Sequence, residues 1–141
     1  MDAIVMLKEE HKDLEKLFKQ LDKDDLSVIP DICSSLTLHI TVEEQVFYPE
    51  VNRRTDVEAD DIAEVLEEHH LLKLLVSEIR ELTPADIEYK AKAGVLTELA
   101  RHHHKEEETE LFPEVRKELG RKRLLEIGAK MEQFKVDVAQ G

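Results

Sequence analysis

Apolar residues recur every three or four positions along most of the chain, which is the spacing that places side chains on one face of an α-helix. This pattern predicts four long amphipathic helices and a shorter fifth one. The face of the first helix consists of Ile4, Leu7, His11, Leu14, Phe18 and Leu21. The face of the second helix consists of Ile32, Leu36, His39, Glu43 and Val46. We expect this second helix to begin near Pro30 and to end or bend at Pro49, because proline suits a first turn and disrupts an interior.

The third and fourth helices show the same periodicity. Thr55 and Glu58 stand three residues apart, as in a capping box, and predict the start of the third helix. Its face consists of Ile62, Val65, His69, Leu72, Val76 and Ile79. Thr83 and Pro84 predict the start of the fourth helix, and Pro113 its end. Its face consists of Leu96, Leu99, His103, Glu107 and Leu111. The fifth helix would bury Leu124, Ile127, Met131 and Phe134.

Four amphipathic helices with short connections predict an all-α fold, an up-down-up-down four-helix bundle with a short C-terminal fifth helix. A length of 141 residues suits one domain, with the bundle at about residues 2–118 and the fifth helix at about residues 121–138. We therefore expect residues 1–141 to form a single domain.

The charge of the chain narrows the classes of partner. A formal net charge of −13 repels phosphate backbones and anionic membranes, so we expect no nucleic-acid partner and no membrane association. The first eleven residues lack the basic and apolar regions of a signal peptide. The single cysteine, Cys33, fits a reducing compartment, and we expect a cytoplasmic monomer or weak dimer.

Histidine and glutamate interrupt the apolar faces at a few positions. Each of the four long helices carries one histidine on its apolar face, and two of them also carry a glutamate. A lone histidine on such a face is usually a satisfied core residue. Several buried polar groups together need partners, however, and a shared metal site supplies those partners at once.

The chain also contains an internal repeat. The segment His39 to Val51 has the same pattern as the segment His103 to Val115, 64 residues later, and both contain a proline ten residues after the histidine. The dipeptide Glu10-His11 has a counterpart 58 residues later, at Glu68-His69. The repeat predicts two helical hairpins related by a pseudo-twofold axis.

The spacing within the repeat favours metal binding. Residues four apart lie one turn apart on one helix face, so His39 can point inward with Glu43, and His103 with Glu107. His11 and His69 would project from the other two helices. Imidazole and carboxylate ligands suit iron, manganese or zinc, and no thiolate ligand is predicted.

At these residues the sequence resembles the hemerythrin-like (HHE cation-binding) domain family, bacterial type, over about residues 2–118. The resemblance is carried by Glu10-His11, His39 with Glu43-Glu44 and Tyr48-Pro49, Glu68-His69, and His103 with Glu107-Glu108 and Phe112-Pro113. It implies a non-haem centre of two iron ions joined by an oxo or hydroxo group. The terminal ligands it implies are His11, His39, His69 and His103, and the bridging ligands are Glu43 and Glu107.

Two departures separate this chain from the oxygen-carrying hemerythrins. Those carriers have a second histidine one turn along the third helix, where this chain has Lys73. They also place an aspartate five residues after the fourth-helix histidine, where this chain has Glu107 at four residues. The ligand set implied here leaves positions open for a small molecule on two six-coordinate irons. His70 is either an additional ligand or a residue of the surrounding shell or surface.

Other polar residues receive a different interpretation. His102 and His104 flank His103, so at most one of them could also approach the site, and we expect both to be exposed or to lie behind the ligands. We expect Glu44, Glu106 and Glu108 to be solvated or to accept hydrogen bonds from ligand histidines. For Tyr48, nine residues beyond His39, a packing role is favoured over contact with the metal.

The resemblance implies a diiron oxidoreductase that reacts with hydrogen peroxide, nitric oxide or O2, with catalase-like or nitric oxide peroxidase-like activity in detoxification. The alternative is a non-catalytic module that binds or senses oxygen, iron or nitric oxide. A metal-free adaptor bundle would leave the four inward histidines unexplained. A ferritin-like site needs two Glu-x-x-His pairs, and only Glu67 and His70 have that spacing.

Overall fold

The computed structural model describes all 141 residues, and they form helices and turns without any β-strand. The α-helices are α1 (Ala3–Asp22), α2 (Ile29–Val42), α3 (Tyr48–Arg54), α4 (Ala59–Arg80), α5 (Ile87–Glu106) and α6 (Phe112–Gln140). A 3₁₀ turn, Leu26–Val28, precedes α2, and two π-helical segments, Glu43–Phe47 and Glu107–Leu111, join α2 to α3 and α5 to α6. None of these helices is long and apolar enough to cross a membrane.

The apolar face predicted for the first helix is buried along its whole length in α1. Asp2 caps this helix, because its carboxylate accepts a hydrogen bond from the Val5 N–H at 2.8 Å. The face predicted for the third helix is likewise buried throughout α4. In the fourth helix the prediction for Leu99 was wrong, since this side chain is exposed on α5.

The helical path continues through both Pro49, where an end or a bend was predicted, and Pro113, where an end was predicted. Each proline lies in the first turn of the next α-helix, where a missing N–H is tolerated. A π-helical turn precedes each of them, in which the Tyr48 N–H donates to the Glu43 carbonyl and the Phe112 N–H to the Glu107 carbonyl. This wider turn lies where a proline ring would crowd the carbonyl of a regular α-helix.

Two predicted helix starts are also corrected. Thr55 does not cap α4, because its hydroxyl donates to the Val51 carbonyl at 2.7 Å and so serves the end of α3. The fourth helix begins at Ile87 and not at Thr83, because the Asp86 carboxylate accepts the Thr83 N–H at 2.7 Å and forms a separate turn. A capping side chain can therefore belong to the element before it or to a turn of its own.

Two apolar clusters fill the interior at different levels of the helices. One cluster includes Phe18, Leu36, Leu72 and Leu96. The other includes Leu7, Phe47, Val65 and Phe112. Along α1, α4 and α5 the predicted histidine falls between the residues of these two clusters, and in α2 it lies close to the change from one cluster to the other. The polar layer therefore lies between two apolar ones.

The last part of α6, residues 121–140, is called here the C-terminal arm. Gly120, at φ 77°, interrupts the helix just before it, and the predicted fifth helix lies within this arm. Gly128 packs so closely against α1 that an added Cβ would lie 2.1 Å from the Met1 carbonyl oxygen. Lys135 of the arm pairs with Glu10, which lies more than one turn further along α1 than the residues that Gly128 contacts. The arm therefore runs beside α1 in the same direction.

Candidate metal centre

The six residues predicted as metal ligands are all buried in the polar layer between the two apolar clusters. They come from four helices and from the first position of each π-helical segment. They are His11, His39, Glu43, His69, His103 and Glu107. The convergence predicted from the helical spacing is therefore present in the structure.

The ligand atoms in this layer form two groups of four that share one carboxylate. Within each group the atoms lie within 4.8 Å of one another. The first group consists of His11, His39, His104 and Glu107. The second group consists of Glu43, His69, His103 and Glu107. Because Glu107 belongs to both groups, it stands where a carboxylate could bridge two metal ions.

Each of the four predicted histidines is held from behind by a carboxylate. The pairs, from imidazole Nδ1 to carboxylate oxygen, are His11 with Glu108 (2.7 Å), His39 with Glu10 (2.7 Å), His69 with Glu44 (2.9 Å) and His103 with Glu68 (2.8 Å). An ionised carboxylate can only accept, so each Nδ1 carries the hydrogen and donates it. The lone pair of each Nε2 is left to face the interior, which is the arrangement of a metal-binding histidine.

The inward-facing nitrogens approach each other in pairs. The Nε2 atoms of His11 and His39 are 3.2 Å apart, and those of His69 and His103 are also 3.2 Å apart. With both Nδ1 atoms protonated, neither nitrogen of a pair has a hydrogen to donate to the other. A cation bound by both nitrogens would remove this repulsion, so the donor set fits a metal ion.

Several buried oxygen and nitrogen atoms in this layer have no hydrogen-bond partner. Both carboxylate oxygens of Glu43 are in this state, as are Oε1 of Glu107 and Nε2 of His104. Burying a carboxylate without partners costs several kcal/mol, and metal coordination is one of the few ways to compensate it. These unpartnered atoms provide a second, independent fit between the residues and a metal centre.

Burial shifts the pKa values of several residues in this layer. It lowers the pKa of His39 to about 3 and that of His69 to about 4, so both imidazoles are neutral near pH 7. Burial also raises the pKa of Glu43 well above its ordinary value, and the Glu107 charge raises it further. A bound cation would oppose this shift, because coordination favours the ionised carboxylate.

His104 is a ligand-capable residue that the sequence did not predict to face the site. It is buried, and its ring stacks on His11 with centroids 3.8 Å apart. The expectation of an exposed or more distant position was wrong because α5 packs against α1 as well as α4, so two adjacent positions face the interior. One signal was present in the repeat, since the counterpart of His104 is Ile40, an apolar residue.

Tyr48 also touches the site instead of only packing. Its hydroxyl donates to Oε2 of Glu107 at 2.5 Å. Burial and the Glu107 and Glu43 charges raise the pKa of Tyr48 well above its ordinary value, so the phenol keeps its proton. Distance along one helix did not predict this contact, because Glu107 comes from another helix.

The remaining histidines lie outside the two groups. His70 is exposed, so the interpretation of it as an additional ligand is not supported, and the alternative of a surface position agrees with the structure. His102 is exposed and pairs with Glu106 at 2.9 Å.

Two lysines contact the carboxylates behind the ligands. Lys73 pairs with Glu44 at 2.8 Å, and Lys135 pairs with Glu10. These contacts hold the carboxylates that orient His69 and His39.

Three comparisons with known proteins bear on this site. The profile of the family described as Hemerythrin HHE cation binding domain matches residues 2–115. A curated protein of Nostoc sp., named DNA nickase, is 29% identical over 119 residues, which are 81% of this chain but 33% of that protein. This chain thus spans about a third of the length of that relative.

A solved structure gives the same picture of the fold. The crystal structure of a hemerythrin HHE cation binding domain-containing protein from Mycobacterium kansasii superposes with a TM-score of 0.77 at 18% identity. The superposition covers 99% of this chain and 91% of that one. At this identity the likeness establishes the fold.

Proposed function

The chain belongs to the hemerythrin HHE cation-binding domain family, and on that basis we propose that it is a non-haem diiron protein that reacts with hydrogen peroxide, nitric oxide or O2. The single observation that carries this proposal is the pair of buried ligand groups joined by Glu107. Two metal positions that share a carboxylate are what a dinuclear centre requires.

The proposal assigns ligands to each ion. His11, His39 and His104 would hold the first ion, and His69, His103 and Glu43 the second. Glu107 would bridge them. Imidazole and carboxylate ligands suit iron, and bound iron would supply the one-electron redox chemistry that peroxide or nitric oxide consumption requires.

The surrounding residues prepare the centre for that chemistry. The carboxylates of Glu10, Glu44, Glu68 and Glu108 hold the four ligand histidines in one tautomer and one orientation. The Tyr48 hydroxyl holds its proton against Glu107 and restricts the rotation of that carboxylate. The two apolar clusters exclude water from above and below the layer.

A small molecule can reach this layer through a surface cavity. A cavity of about 440 Å³ has His103 and Glu107 among its lining residues. No lysine or arginine lines it, while many carboxylates do. This charge supports uncharged reactants such as hydrogen peroxide, nitric oxide and O2 over anionic ones.

The test is the metal content and absorption spectrum of protein produced with added iron, followed by its consumption of peroxide and of nitric oxide. We expect two irons per chain and turnover of at least one of these molecules. The neighbours His69 and His70 provide a matched pair, since His69→Ala should lose metal and His70→Ala should retain it. Equal loss in both variants, or no iron after reconstitution, would refute the ligand assignment. Binding of nitric oxide or O2 without turnover would replace the enzyme by a binding or sensing module.

The name of the Nostoc relative raises DNA as an alternative partner. That protein is about three times as long as the matched segment, and this chain carries a net charge of −13. A surface of this sign repels a phosphate backbone. We therefore infer no DNA-nicking activity for this chain, and detectable nicking of a supercoiled plasmid by the iron-loaded protein would contradict that inference.

The proposal also includes the topology of the bundle. The connections between α1 and α2 and between α4 and α5 are short, and the helices of each pair pack against each other. Helices joined in this way run antiparallel, which gives the up-down-up-down order with the C-terminal arm beside it.

A further inference from the structure

The cavity that reaches the metal centre is acidic along nearly its whole lining. Nine of its 13 lining residues are aspartate or glutamate, and the rest are His103 and three hydrophobic residues. Its walls come from the start of α4 and from the end of α5 with the segment that follows. We call this cavity the acidic cleft.

The inner end of the acidic cleft carries an unpartnered ligand atom. Glu107 lines the cleft, is 1% exposed, and its Oε1 has no hydrogen-bond partner. His103 lines the same end and is 2% exposed. The inner end of the cleft is therefore formed by two residues of the second ligand group.

A third group of ligand atoms lies at the edge of the acidic cleft. Glu68, His102 and Glu106 each place one ligand atom within 4.8 Å of the others. Glu68 connects this outer group to the centre, because its Oε1 accepts the hydrogen of His103 Nδ1 at 2.8 Å. Two carboxylates and an imidazole are suitable ligands for a divalent transition-metal ion.

The internal repeat shows that the cleft is not a general property of this fold's surface. With the offsets of 58 and 64 residues, the counterparts of cleft residues Asp61, Glu64, Glu106 and Glu110 are Ala3, Met6, Val42 and Val46. All four counterparts pack into the apolar cluster that the C-terminal arm completes with Leu124, Ile127 and Met131. The same framework is thus covered on one side and left open and acidic on the other.

We propose that the acidic cleft is the route by which a divalent metal ion enters the centre, and that Glu68, His102 and Glu106 form the site it occupies before it reaches His103 and Glu107. This inference rests on the proposed metal centre but not on its reaction. A cleft lined by one sign of charge concentrates ions of the opposite sign and raises their association rate. Glu68 links the outer group to the centre, because it belongs to that group and its carboxylate also contacts His103.

The first test measures how fast metal-free protein takes up Co²⁺, using the visible absorption that appears when the ion gains its ligands. The variant Asp61→Asn/Glu64→Gln/Glu110→Gln removes three charges from the cleft and no side-chain hydrogen bond. The control Asp31→Asn/Glu81→Gln/Glu98→Gln removes three exposed charges elsewhere, and Asp31 lies in the first turn of α2 as Asp61 does in that of α4.

We expect the cleft variant to load about tenfold more slowly than the control at low ionic strength, with weaker dependence on salt, and both to bind the same final amount of Co²⁺. Equal loading rates in the two variants would overturn the route. Wild-type protein that binds neither Co²⁺ nor iron would instead overturn the proposed metal centre, so the two failures are distinguishable.

The second test addresses the outer group. Protein already loaded with iron is titrated with Mn²⁺, and bound Mn²⁺ is followed by electron paramagnetic resonance. We expect one additional weakly bound Mn²⁺ per chain, lost in His102→Ala and retained in His70→Ala. An equal amount of bound Mn²⁺ in the two variants would overturn the outer site.

Discussion

The two halves of the molecule place equivalent candidate ligands, from matching helices, in different surroundings. In the half formed by α1, α2 and α3, the C-terminal arm covers the ligand helices with apolar side chains. In the half formed by α4, α5 and the segment after it, the equivalent surface is an open acidic cleft. The difference teaches that coordination and access are separable: the repeat maintains the ligands, and the residues around them decide which side is open.

The centre itself departs from the repeat at two positions. His104 stands where the other half has Ile40, and Tyr48 stands where the other half has Phe112. His104 adds a nitrogen to the group around His11, while Tyr48 adds a hydrogen bond to Glu107. The two groups of candidate ligands are therefore chemically different although their frameworks match.

The largest effect, a loss of bound metal, should come from substituting the two carboxylates predicted to bridge, Glu107 and Glu43. Glu107 belongs to both ligand groups and Glu43 to one. We expect Glu107→Gln to lose both metal ions and Glu43→Gln to keep the one held by His11, His39 and His104. Metal analysis after dialysis checks this difference. Equal retention in the two variants would mean that the two carboxylates are equivalent.

The next effect concerns the cover. Met131 is fully buried between the arm and the bundle, so Met131→Ala should cost about 2–5 kcal/mol of unfolding free energy. Glu132→Ala, at an exposed neighbouring position, should cost less than about 0.5 kcal/mol. Urea titration of the metal-free variants measures both values. Similar costs for the two changes would show that the arm is not packed against the bundle.

The substitution His104→Ile makes the second half resemble the first, because isoleucine stands at the equivalent position of the repeat, Ile40. We expect the affinity for one of the two ions to fall by about tenfold or more, since the first group loses a ligand. Competition with a chelator of known affinity measures the change. Unaltered affinity for both ions would remove His104 from the ligand set.

Acid should destabilise the metal-free protein. The pKa values of His39 and His69 are about 3 and about 4 when folded, below the ordinary value of 6.5, so below pH 6.5 the unfolded chain binds protons that the folded protein does not. The contribution of these neutral histidines to the unfolding free energy is therefore fully present above about pH 6.5, and it decreases as the pH falls towards 4. Each such histidine contributes about 1.4 kcal/mol per pH unit within this window.

His39→Gln and His69→Gln compare the two halves in this respect. In each variant the unfolding free energy should fall less steeply between pH 6 and pH 5 than in the parent. The difference in slope should correspond to about one proton fewer taken up on unfolding. Thermal unfolding of metal-free protein at several pH values gives the slope. A slope unchanged in both variants would show that these imidazoles are protonated in the folded state.

The smallest effect should come from the tyrosine. Tyr48→Phe removes the hydrogen bond to Glu107 and gives both halves a phenylalanine at this position. We expect a loss of about 1 kcal/mol of stability in the metal-free protein and unchanged metal content. A variant that loses metal would instead make the phenol necessary for holding Glu107.

The sequence predicted the ligand layer but not everything around it. The burial and convergence of the six residues predicted as ligands could be anticipated, because each lies on the apolar face of its own helix and that face is visible as periodicity. His104 and Tyr48 were missed because their roles depend on which neighbouring helix approaches them, which periodicity does not contain. The interpretation of Glu44 and Glu108 as carboxylates that accept hydrogen bonds from ligand histidines agrees with the structure.

Helix ends were the least predictable feature. The hydroxyl of Thr55 bonds to α3, and Thr83 forms a turn with Asp86, so the capping residues were recognised but assigned to the wrong helices. The chain before Pro49 and Pro113 forms a π turn, which no local pattern distinguishes from an α-helix that stops. These choices depend on hydrogen bonds of similar energy in competing geometries.

The two π-helical segments place a constraint of a different kind on the chain. Each residue of an α-helix turns the path by about 100°, so removing one residue from either segment would rotate everything after it by that angle. The rings of Tyr48 and Phe112 would then leave the interior, and the arm would lose its alignment with α1. Gln45 and Thr109 are exposed within these segments. Deleting either residue would therefore have a large effect, whereas replacing its side chain would have a small one. In these two segments the number of residues, and not their identity, determines the orientation of the chain that follows.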